Sequence, residues 1–292
     1  MKKKILSLVI AGLLPVSYSH TLYAETTISG SIEAEANFTE DEDDTGVTVE
    51  VGLDHKVSDK VDGHLLLKYE QDDEDDDVYV DEAVINLHPT DSMDIVVGRQ
   101  YVPFGRFDTN MISDPITLDL GETREEAALI TQKFGGFGAS AYVFKDKADG
   151  ANDKIDNYGV DFAYENEQFS AGVGYISDVA DTTVEGINVH AKLSLGKASI
   201  IAEHMRLDDI AGVNPNASHL EFAFDLGNDK VIAATYQESS DASVLDLPKE
   251  VVGISYSMPV YKNTSVAAEY LNSTDYDDED SDVINLKLTY EF

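Results

Sequence analysis

The last nine residues of the chain read Ile284-Asn285-Leu286-Lys287-Leu288-Thr289-Tyr290-Glu291-Phe292. Apolar and polar side chains alternate there without a break, so an extended strand with this sequence has one apolar and one polar face. The same period of two recurs at 47–54, 187–195 and 220–226, whereas a helical period does not dominate any part of the chain after residue 25. The sequence therefore predicts an all-β fold.

Alternating runs of this kind recur about sixteen times between residue 26 and the last residue. The links that follow odd-numbered runs are long or acidic, and the links that follow even-numbered runs are short turns. A transmembrane antiparallel β-barrel, with short turns at one end and long loops at the other, sorts its links in this way. We predict such a barrel with about 16 strands and no plug domain. A soluble, β-rich exported binding protein is the rival, because a β-sandwich also alternates.

The N-terminus has the three parts of an export signal. Lys2, Lys3 and Lys4 precede an apolar run from Ile5 to Leu14, and a small residue, Ala24, follows a polar segment. The apolar run is too short to cross a bilayer as a helix, which needs about 20 residues. We predict a cleaved signal peptide at 1–24 and a single barrel domain at 25–292, located in the bacterial outer membrane.

Composition excludes several classes of function. The chain has 57 acidic and 20 basic residues, a formal net charge of -37 and no cysteine. Nucleic acid is not an expected partner, because it binds basic surfaces, and thiol chemistry is excluded. The seven histidines lack metal-ligand spacing and no Gly-x-Ser-x-Gly motif occurs. We therefore expect neither an enzyme nor a cofactor.

The alternation also assigns faces, since the apolar side of a membrane barrel meets lipid and the polar side lines the lumen. Ile28, Val189, Phe222 and Leu286 fall on the lipid side. Carboxylates outnumber bases on the polar side, which favours cations and neutral solutes over free anions. The predicted lumen-lining residues are Glu33, Glu35, Glu50, Asp54, Glu70, Glu82, Asp161, Glu203, Glu221, Asp225, Glu269 and Glu291, with His64, Lys68, Lys133, His190, Lys192 and Lys287.

The link at 102–125 is the longest in the chain and too apolar for a freely solvated loop. Folding into the barrel mouth would bury its apolar side chains and narrow the pore. The predicted constriction consists of Arg99, Phe104, Arg106, Phe107, Asp108, Asp114 and Arg124. Two roles stay open for Arg106 and Arg124: bidentate pairing with a carboxylate-bearing or metal-chelated ligand, or pairing with lumen acids to hold the loop.

Two acidic clusters, at 72–77 and 277–280, lie in the long links. Closely spaced carboxylates can bind Ca²⁺ or Mg²⁺, but solvated loop tips have the same composition. The sequence leaves the metal question open.

Two stretches carry a family resemblance. Gly98-Arg99-Gln100-Tyr101-Val102-Pro103-Phe104-Gly105 resembles the strand-loop motif of phosphate-selective-type porins. The wider run through 110–115 and 120–125 resembles the siderophore porins of the legiobactin-uptake (LbtU) type, and Phe292 resembles the terminal assembly signal of outer-membrane proteins. The resemblance implies a 16-stranded barrel without a plug and, in at least one member, ferric-siderophore uptake.

The leading hypothesis is therefore an outer-membrane porin for diffusion of small solutes, with ferric-siderophore uptake implied by the resemblance. The alternative is a general cation-preferring porin. The expected partners are outer-membrane lipid and lipopolysaccharide, the outer-membrane assembly machinery, and a small-molecule solute or ferric siderophore. Both a monomer and a trimer are compatible with a barrel of this size.

Overall fold

The computed structural model describes residues 25–40, 43–71, 77–145, 154–179 and 182–292. Sixteen antiparallel strands, each hydrogen-bonded to its sequence neighbours, close into a barrel. The predicted fold and strand number are confirmed. The predicted signal peptide and most of the acidic cluster at 72–77 lie outside the described residues. Within the described ranges, no helix is long and apolar enough to span a bilayer.

The strands are β1 (Glu25–Phe38), β2 (Asp43–Ser58), β3 (Val61–Glu70), β4 (Tyr79–Thr90), β5 (Met93–Tyr101), β6 (Arg124–Phe134), β7 (Phe137–Lys145), β8 (Ile155–Glu165), β9 (Phe169–Ile176), β10 (Gly186–Leu195), β11 (Ala198–Leu207), β12 (Asn216–Gly227), β13 (Lys230–Ser240), β14 (Glu250–Tyr261), β15 (Thr264–Thr274) and β16 (Asp280–Glu291). One short helix, α1 (Ile116–Gly121), interrupts the link between β5 and β6, and a 3-10 turn spans Ser243–Leu245. The sequence did not predict α1.

The barrel closes between its first and last strands. β1 pairs with β16 from Ser31↔Glu291 to Phe38↔Ile284. The amides of Gly30 and Phe292 each donate to the other residue's carbonyl oxygen, at 3.1 and 3.0 Å. Gly30 is required at this seam, because a Cβ there would overlap the carbonyl oxygen of Glu50 and lie 2.7 Å from the Phe292 ring. Closure leaves no edge strand unpaired.

Tight turns connect the even-numbered strands to the next strand. Asn228 and Asp229 lie between β12 and β13 with φ values of 57° and 56°. Two consecutive left-handed residues match the twist of a hairpin, and Asn and Asp tolerate that conformation. The described long links, such as 102–123 and 208–215, lie at the opposite end of the barrel, as the parity of link lengths predicted.

The outer surface is apolar. Ile28 is 59% exposed and Val189 is 50% exposed, although both are large hydrophobic side chains. Aromatic rings form a row near the short-turn end, with centroid separations of 6.0 Å for Phe134–Phe137 and 5.7 Å for Phe137–Phe162. Exposed apolar residues bounded by aromatics are the surface that a membrane barrel presents to lipid. The buried residues lie inside the barrel instead.

Candidate pore constriction

The link between β5 and β6 folds into the barrel and forms its core. Phe104, Ile116 and Leu120 are at most 4% exposed. They belong to one hydrophobic cluster with inward-facing residues of the wall. Those wall residues are Ala127 on β6, Tyr142 and Phe144 on β7, Ile176 on β9, Met205 and Leu207 on β11 and Ala217 on β12. Burial of these side chains supplies the driving force that draws the loop inward.

Phe104 packs against two glycines of the barrel wall. Its ring lies beside Gly186 of β10, where a Cβ would approach the ring to 2.8 Å. A Cβ at Gly174 of β9 would also contact the ring, at 3.5 Å. The absence of a Cβ at these two positions allows the ring to pack closely against the barrel wall.

Glu203 of β11 binds the first part of the loop. Its carboxylate accepts hydrogen bonds from the backbone amides of Arg106 and Phe107, at 2.8 and 3.0 Å. The Thr117 hydroxyl and the Asn188 amide also donate to it, at 3.2 and 2.7 Å. Because Glu203 is buried, these four donors compensate for the loss of water around its charge.

Two further wall glutamates bind the middle of the loop in the same way. Glu221 of β12 accepts from the Asn110 amide at 3.0 Å and from the Thr109 hydroxyl at 2.7 Å. Glu269 of β15 accepts from the Ile112 and Ser113 amides, at 2.6 and 3.2 Å. We call Glu203, Glu221 and Glu269 the latch glutamates.

Neutral side chains complete the attachment. Gln237 of β13 accepts from the Ile116 amide at 2.7 Å, and Ser255 of β14 donates to the Asn110 carbonyl at 2.9 Å. Asn285 of β16 donates to the Ser113 hydroxyl at 2.9 Å. Every strand from β11 to β16 thus contacts the loop through one polar side chain. The loop therefore lies against that half of the wall.

The wall from β1 to β4, together with Lys287 of β16, borders the open lumen, and most of its inward side chains are only half-buried. Lys68 lies 2.8 Å from Glu70 and 3.9 Å from Glu50. Lys287 lies 3.0 Å from Glu33 and 2.6 Å from Glu35. Each lysine is therefore bracketed by two carboxylates. Together with Asp81, Glu82 and Arg124, these six residues form the wall array.

Three loop carboxylates lie at the lumen: Asp114 and Glu122 face the wall array, and Asp119 interacts with Asp114. Asp114 interacts electrostatically with Lys287 and Lys68, and Glu122 interacts with Lys68 and Arg124. These side chains are accessible to water. The lumen is narrow, however, so protein atoms on its other side also lie close to them. Desolvation in this confined space raises the pKa of all three carboxyl groups, and the negative charge of Asp114 raises the pKa of the other two further. The wall array and these loop acids together form the eyelet.

The eyelet has an excess of negative charge. Its carboxylates are Glu33, Glu35, Glu50, Glu70, Asp81, Glu82, Asp114, Asp119 and Glu122, and its bases are Lys68, Arg124 and Lys287. The bases all belong to the wall array, and the loop supplies only acids. Six of the nine carboxylates also belong to the wall array, so the wall and the loop each carry an excess of negative charge, and the field in the pore repels anions from both sides.

The three predicted constriction arginines occupy different environments. Arg124 pairs with Asp81, and its guanidinium lies 5.5 and 5.7 Å from the ring centres of Tyr79 and Tyr101. Arg106 is exposed inside the lumen, where it interacts electrostatically with Asp161 and His190. Arg99 does not face the pore. It is in register with Ala83 of β4 and Glu126 of β6, and all three residues lie on the outward side of the sheet.

The other predicted loop residues serve attachment. Phe107 has a left-handed backbone, with φ of 52°, and packs against the hydrophobic cluster. Asp108 lies 3.2 Å from Lys192 of β10. His190, on the same strand, is buried and hydrogen-bonds Asn188 at 3.0 Å. Of the predicted lumen residues, seven come together in the eyelet: Glu33, Glu35, Glu50, Lys68, Glu70, Glu82 and Lys287. Glu221 is instead covered by the loop, and Lys133 lies 2.8 Å from Asp94 near the short turns.

Several residues of the site were missed by the sequence analysis. Asp119 and Glu122 belong to the loop that was predicted to narrow the pore. Their acidic side chains in that loop could have identified them as constriction residues. Asp81 was missed because it is an extra, unpaired residue of β4. Glu82 pairs with Leu66 of β3 and Val80 pairs with Leu67, so a bulge at Asp81 shifts the register. It turns Asp81 inward beside Glu82, against the alternation. Gln237 and Asn285 were missed because neutral polar residues carry no distinct signal.

The described residues contain no metal site of the usual kind. No group of three or more His, Cys, Asp or Glu side chains among them is arranged to hold an ion. At the long-loop end, a cavity of about 600 Å³ opens above the eyelet, lined in part by Asn37, Asp44 and Ser113. Leu271 and Val283 also line it, so this vestibule is part polar and part apolar.

Comparison with known sequences gives a family. A family profile described as Gram-negative porin matches residues 11–292. A UPF0422 protein of Coxiella burnetii is 26% identical over 294 residues, which cover 86% of this chain and 62% of that protein. UPF0422 protein lpg2959 of Legionella pneumophila is 25% identical over 228 residues, which cover 61% and 43% of the two chains. The chain thus spans less than two thirds of the length of these relatives.

Comparison with solved structures gives the same fold. The outer membrane channel DcaP of Acinetobacter baumannii superposes with a TM-score of 0.72 at 14% identity, covering 94% of this chain and 99% of that one. An anion-selective porin from Comamonas acidovorans gives a TM-score of 0.72 at 14% identity, covering 92% and 100%. Salmonella typhi OmpF, solved with daunomycin, gives 0.70 at 13% identity, covering 92% and 98%.

Proposed function

The chain belongs to the Gram-negative porin family, and from that premise we propose that it is a passive, cation-preferring diffusion channel for small solutes. Members of this family are outer-membrane channels and not enzymes. In such barrels the short turns face the periplasm and the long loops face outside. A solute entering from outside therefore crosses the vestibule, then the eyelet, then the periplasmic mouth.

The charge balance of the eyelet carries this proposal. Nine carboxyl groups share the constriction with three bases, and the lysines are each bracketed by two carboxylates. A cation passing through replaces part of its hydration by carboxylate contacts, whereas an anion meets a repulsive field. Neutral solutes also fit, because they carry no net charge for this field to repel.

Ferric-siderophore uptake is the second candidate, and it rests on the resemblance at 98–125. An anionic ferric chelate would need unoccupied bases in the pore. Arg124 is engaged by Asp81, and Lys68 and Lys287 are engaged by glutamates. Arg106, exposed in the lumen, is the residue best placed to contact such a ligand. One arginine without a partner arginine supports weak capture only.

The test is the reversal potential of single channels in a planar bilayer under a tenfold KCl gradient. A potential of the sign given by K⁺ permeation supports the cation-preferring channel. A potential of the opposite sign overturns it. Block of the K⁺ current by a micromolar ferric chelate, with loss of block in Arg106→Gln, would support the siderophore candidate instead.

A further inference from the structure

The vestibule above the eyelet has an apolar side. Leu271 of β15 and Val283 of β16 are in register with each other, and both line the cavity of about 600 Å³. Each lies two residues from an inward-facing side chain of its own strand, Glu269 or Asn285, so both face the lumen. The lumen of a barrel of this kind is otherwise polar. We call Leu271, Val283 and the adjacent Met111 of the pore loop the apolar wall.

Packing from behind holds the apolar wall in place. The Leu271 side chain lies over Gly253 of β14, where an added Cβ would overlap its Cδ2 atom. Met111 lies beside it, since its Cε would be 3.1 Å from the same added Cβ. Leu271 also packs against the hydrophobic cluster that draws the loop inward. The apolar wall is therefore a preformed surface that a solute meets before it reaches the eyelet.

A carboxylate lies on the other side of the same cavity. Asp44 of β2 lines it and is exposed, and its Oδ1 accepts a hydrogen bond from the Thr45 amide at 2.7 Å. The strands run in the order β15, β16, β1 and β2 around the barrel. Three strand spacings of about 4.8 Å make a path of about 14 Å along the wall. An elongated solute with one apolar end and one charged end can contact both sides.

Polar side chains lie between the two sides. Asn37 of β1 is in register with both Asp44 and Asn285, so the three residues form one row across the cavity. Asn285 is 5% exposed, and its amide nitrogen donates to the Ser113 hydroxyl and to Glu269, at 2.9 and 2.8 Å. Its carbonyl oxygen has no hydrogen-bond partner among the described residues. The row therefore favours a solute that brings N–H donors.

The charges around the vestibule favour a cation. The eyelet below it has nine carboxyl groups and three bases. Lys287 lies two residues beyond Asn285 on β16, but Glu33 and Glu35 bracket it at 3.0 and 2.6 Å. An anion with an apolar group is repelled by this field, and a neutral solute gains nothing from it. Only a cation gains from both Asp44 and the apolar wall.

We propose that the vestibule binds organic ammonium ions that carry an apolar group. The ammonium lies beside Asp44, and the apolar group packs against Leu271 and Val283. The inference rests on the proposed cation-preferring channel and names a solute class for it. Binding above the eyelet raises the concentration of such ions at the constriction. An ion held there also obstructs the flow of K⁺, so its binding is measurable as block.

The experiment measures block of the single-channel K⁺ current in a planar bilayer by 4-phenylbutylammonium. Butylammonium is the matched probe without the ring, and 4-phenylbutyrate carries the same ring with the opposite charge. The variants are Asp44→Asn, which removes the charge, and Val283→Thr, which replaces a methyl group of the apolar wall by a hydroxyl. Asp43→Asn is the matched control, because Asp43 is in register with the exposed Phe38 and lies on the outward face of β2.

4-Phenylbutylammonium should block wild type and Asp43→Asn alike, and roughly tenfold more tightly than butylammonium, because its ring buries apolar surface. Asp44→Asn should weaken this block roughly fivefold, and Val283→Thr roughly threefold. Equal block of wild type by the two ammonium ions would overturn the proposal. Equally tight block of wild type and Asp44→Asn would also overturn it, as would equally tight block by 4-phenylbutyrate.

The reversal potential of wild type, recorded in the same membranes, separates this proposal from the one on which it rests. A channel that prefers K⁺ but is blocked equally by the two ammonium ions refutes the subsite alone. A channel that prefers Cl⁻ refutes the proposed function itself.

Discussion

Replacing a latch glutamate should release the pore loop without opening the barrel. Glu203 is the strongest case, because its carboxylate accepts hydrogen bonds from two consecutive loop amides and from two side chains. In Glu203→Ala these donors lose their acceptor while Phe104 and Leu120 still attract the loop to the wall. The β-ladders of the barrel do not involve the carboxylate. We expect a folded channel with a loosened constriction.

The magnitude follows from the two backbone amides. A buried donor left without a partner costs about 1–3 kcal/mol, so two of them cost about 2–6 kcal/mol. A change of that size shifts the equilibrium between docked and undocked loop by roughly 30-fold to 10⁴-fold. Glu203→Gln keeps one acceptor oxygen of similar geometry and should shift the equilibrium less.

Single-channel recording measures the effect directly. Glu203→Ala should give a larger mean conductance and more frequent current steps than wild type, with Glu203→Gln between them. Glu238→Ala is the matched control, since Glu238 faces outward on β13, away from the loop, and its carboxylate accepts a hydrogen bond from the Tyr236 hydroxyl at 3.3 Å. Wild-type conductance and noise in a folded Glu203→Ala barrel would refute the role of the latch glutamates.

Three further variants test separate parts of the structure. Phe104→Ala should cost about 3–5 kcal/mol of loop docking, as for other buried phenylalanines, and should raise conductance and loop proteolysis; unchanged proteolysis would contradict it. Asp114→Asn with Glu122→Gln should move the reversal potential toward zero. In wild type, cation preference should begin to fall as the pH decreases, while the pH is still above the ordinary carboxyl range. The reason is that the raised pKa values of Asp114 and Glu122 cause these groups to be protonated at higher pH. A reversal potential that does not change between pH 7 and 4 would count against these acids. Gly30→Val should prevent closure of the seam and abolish heat-modifiable mobility, whereas Gly138→Val, where a Cβ meets nothing within 4 Å, should leave it intact.

Much of the barrel was predictable because one physical rule governs every strand. Lipid on one side and a polar lumen on the other impose a period of two, so a run such as 284–292 reveals both its structure and its faces. The rule fails where the backbone departs from regular pairing. The bulge in β4 turned Asp81 inward. The helix α1 was not predicted because its six residues are too few to show a helical period within the long loop after β5.

The pore loop was predictable in its location and not in its contacts. Its excess of apolar residues required burial, and only the lumen offered it. Which carboxylates meet the loop depends on the three-dimensional path of 102–123 across six strands. For this reason Glu221 was expected to border water, and it is instead 1% exposed beneath Asn110. The sequence marks a lumen acid by its parity but does not distinguish a free acid from one that binds backbone amides.

Attachment of the loop to β11 through β16 has a consequence for the order in which the molecule is made. The loop is synthesised after the fifth strand, but its acceptors Glu203, Glu221 and Glu269 come 97, 111 and 157 residues after their first amide partners. The apolar side chains of the loop can pack against β6, β7 and β9 soon after synthesis, but the latch hydrogen bonds form only when the C-terminal half of the chain has been made. The constriction is complete only when the last strands have been added, because an assembly intermediate that lacks β15 and β16 also lacks the Glu269 and Asn285 contacts that hold residues 112–113.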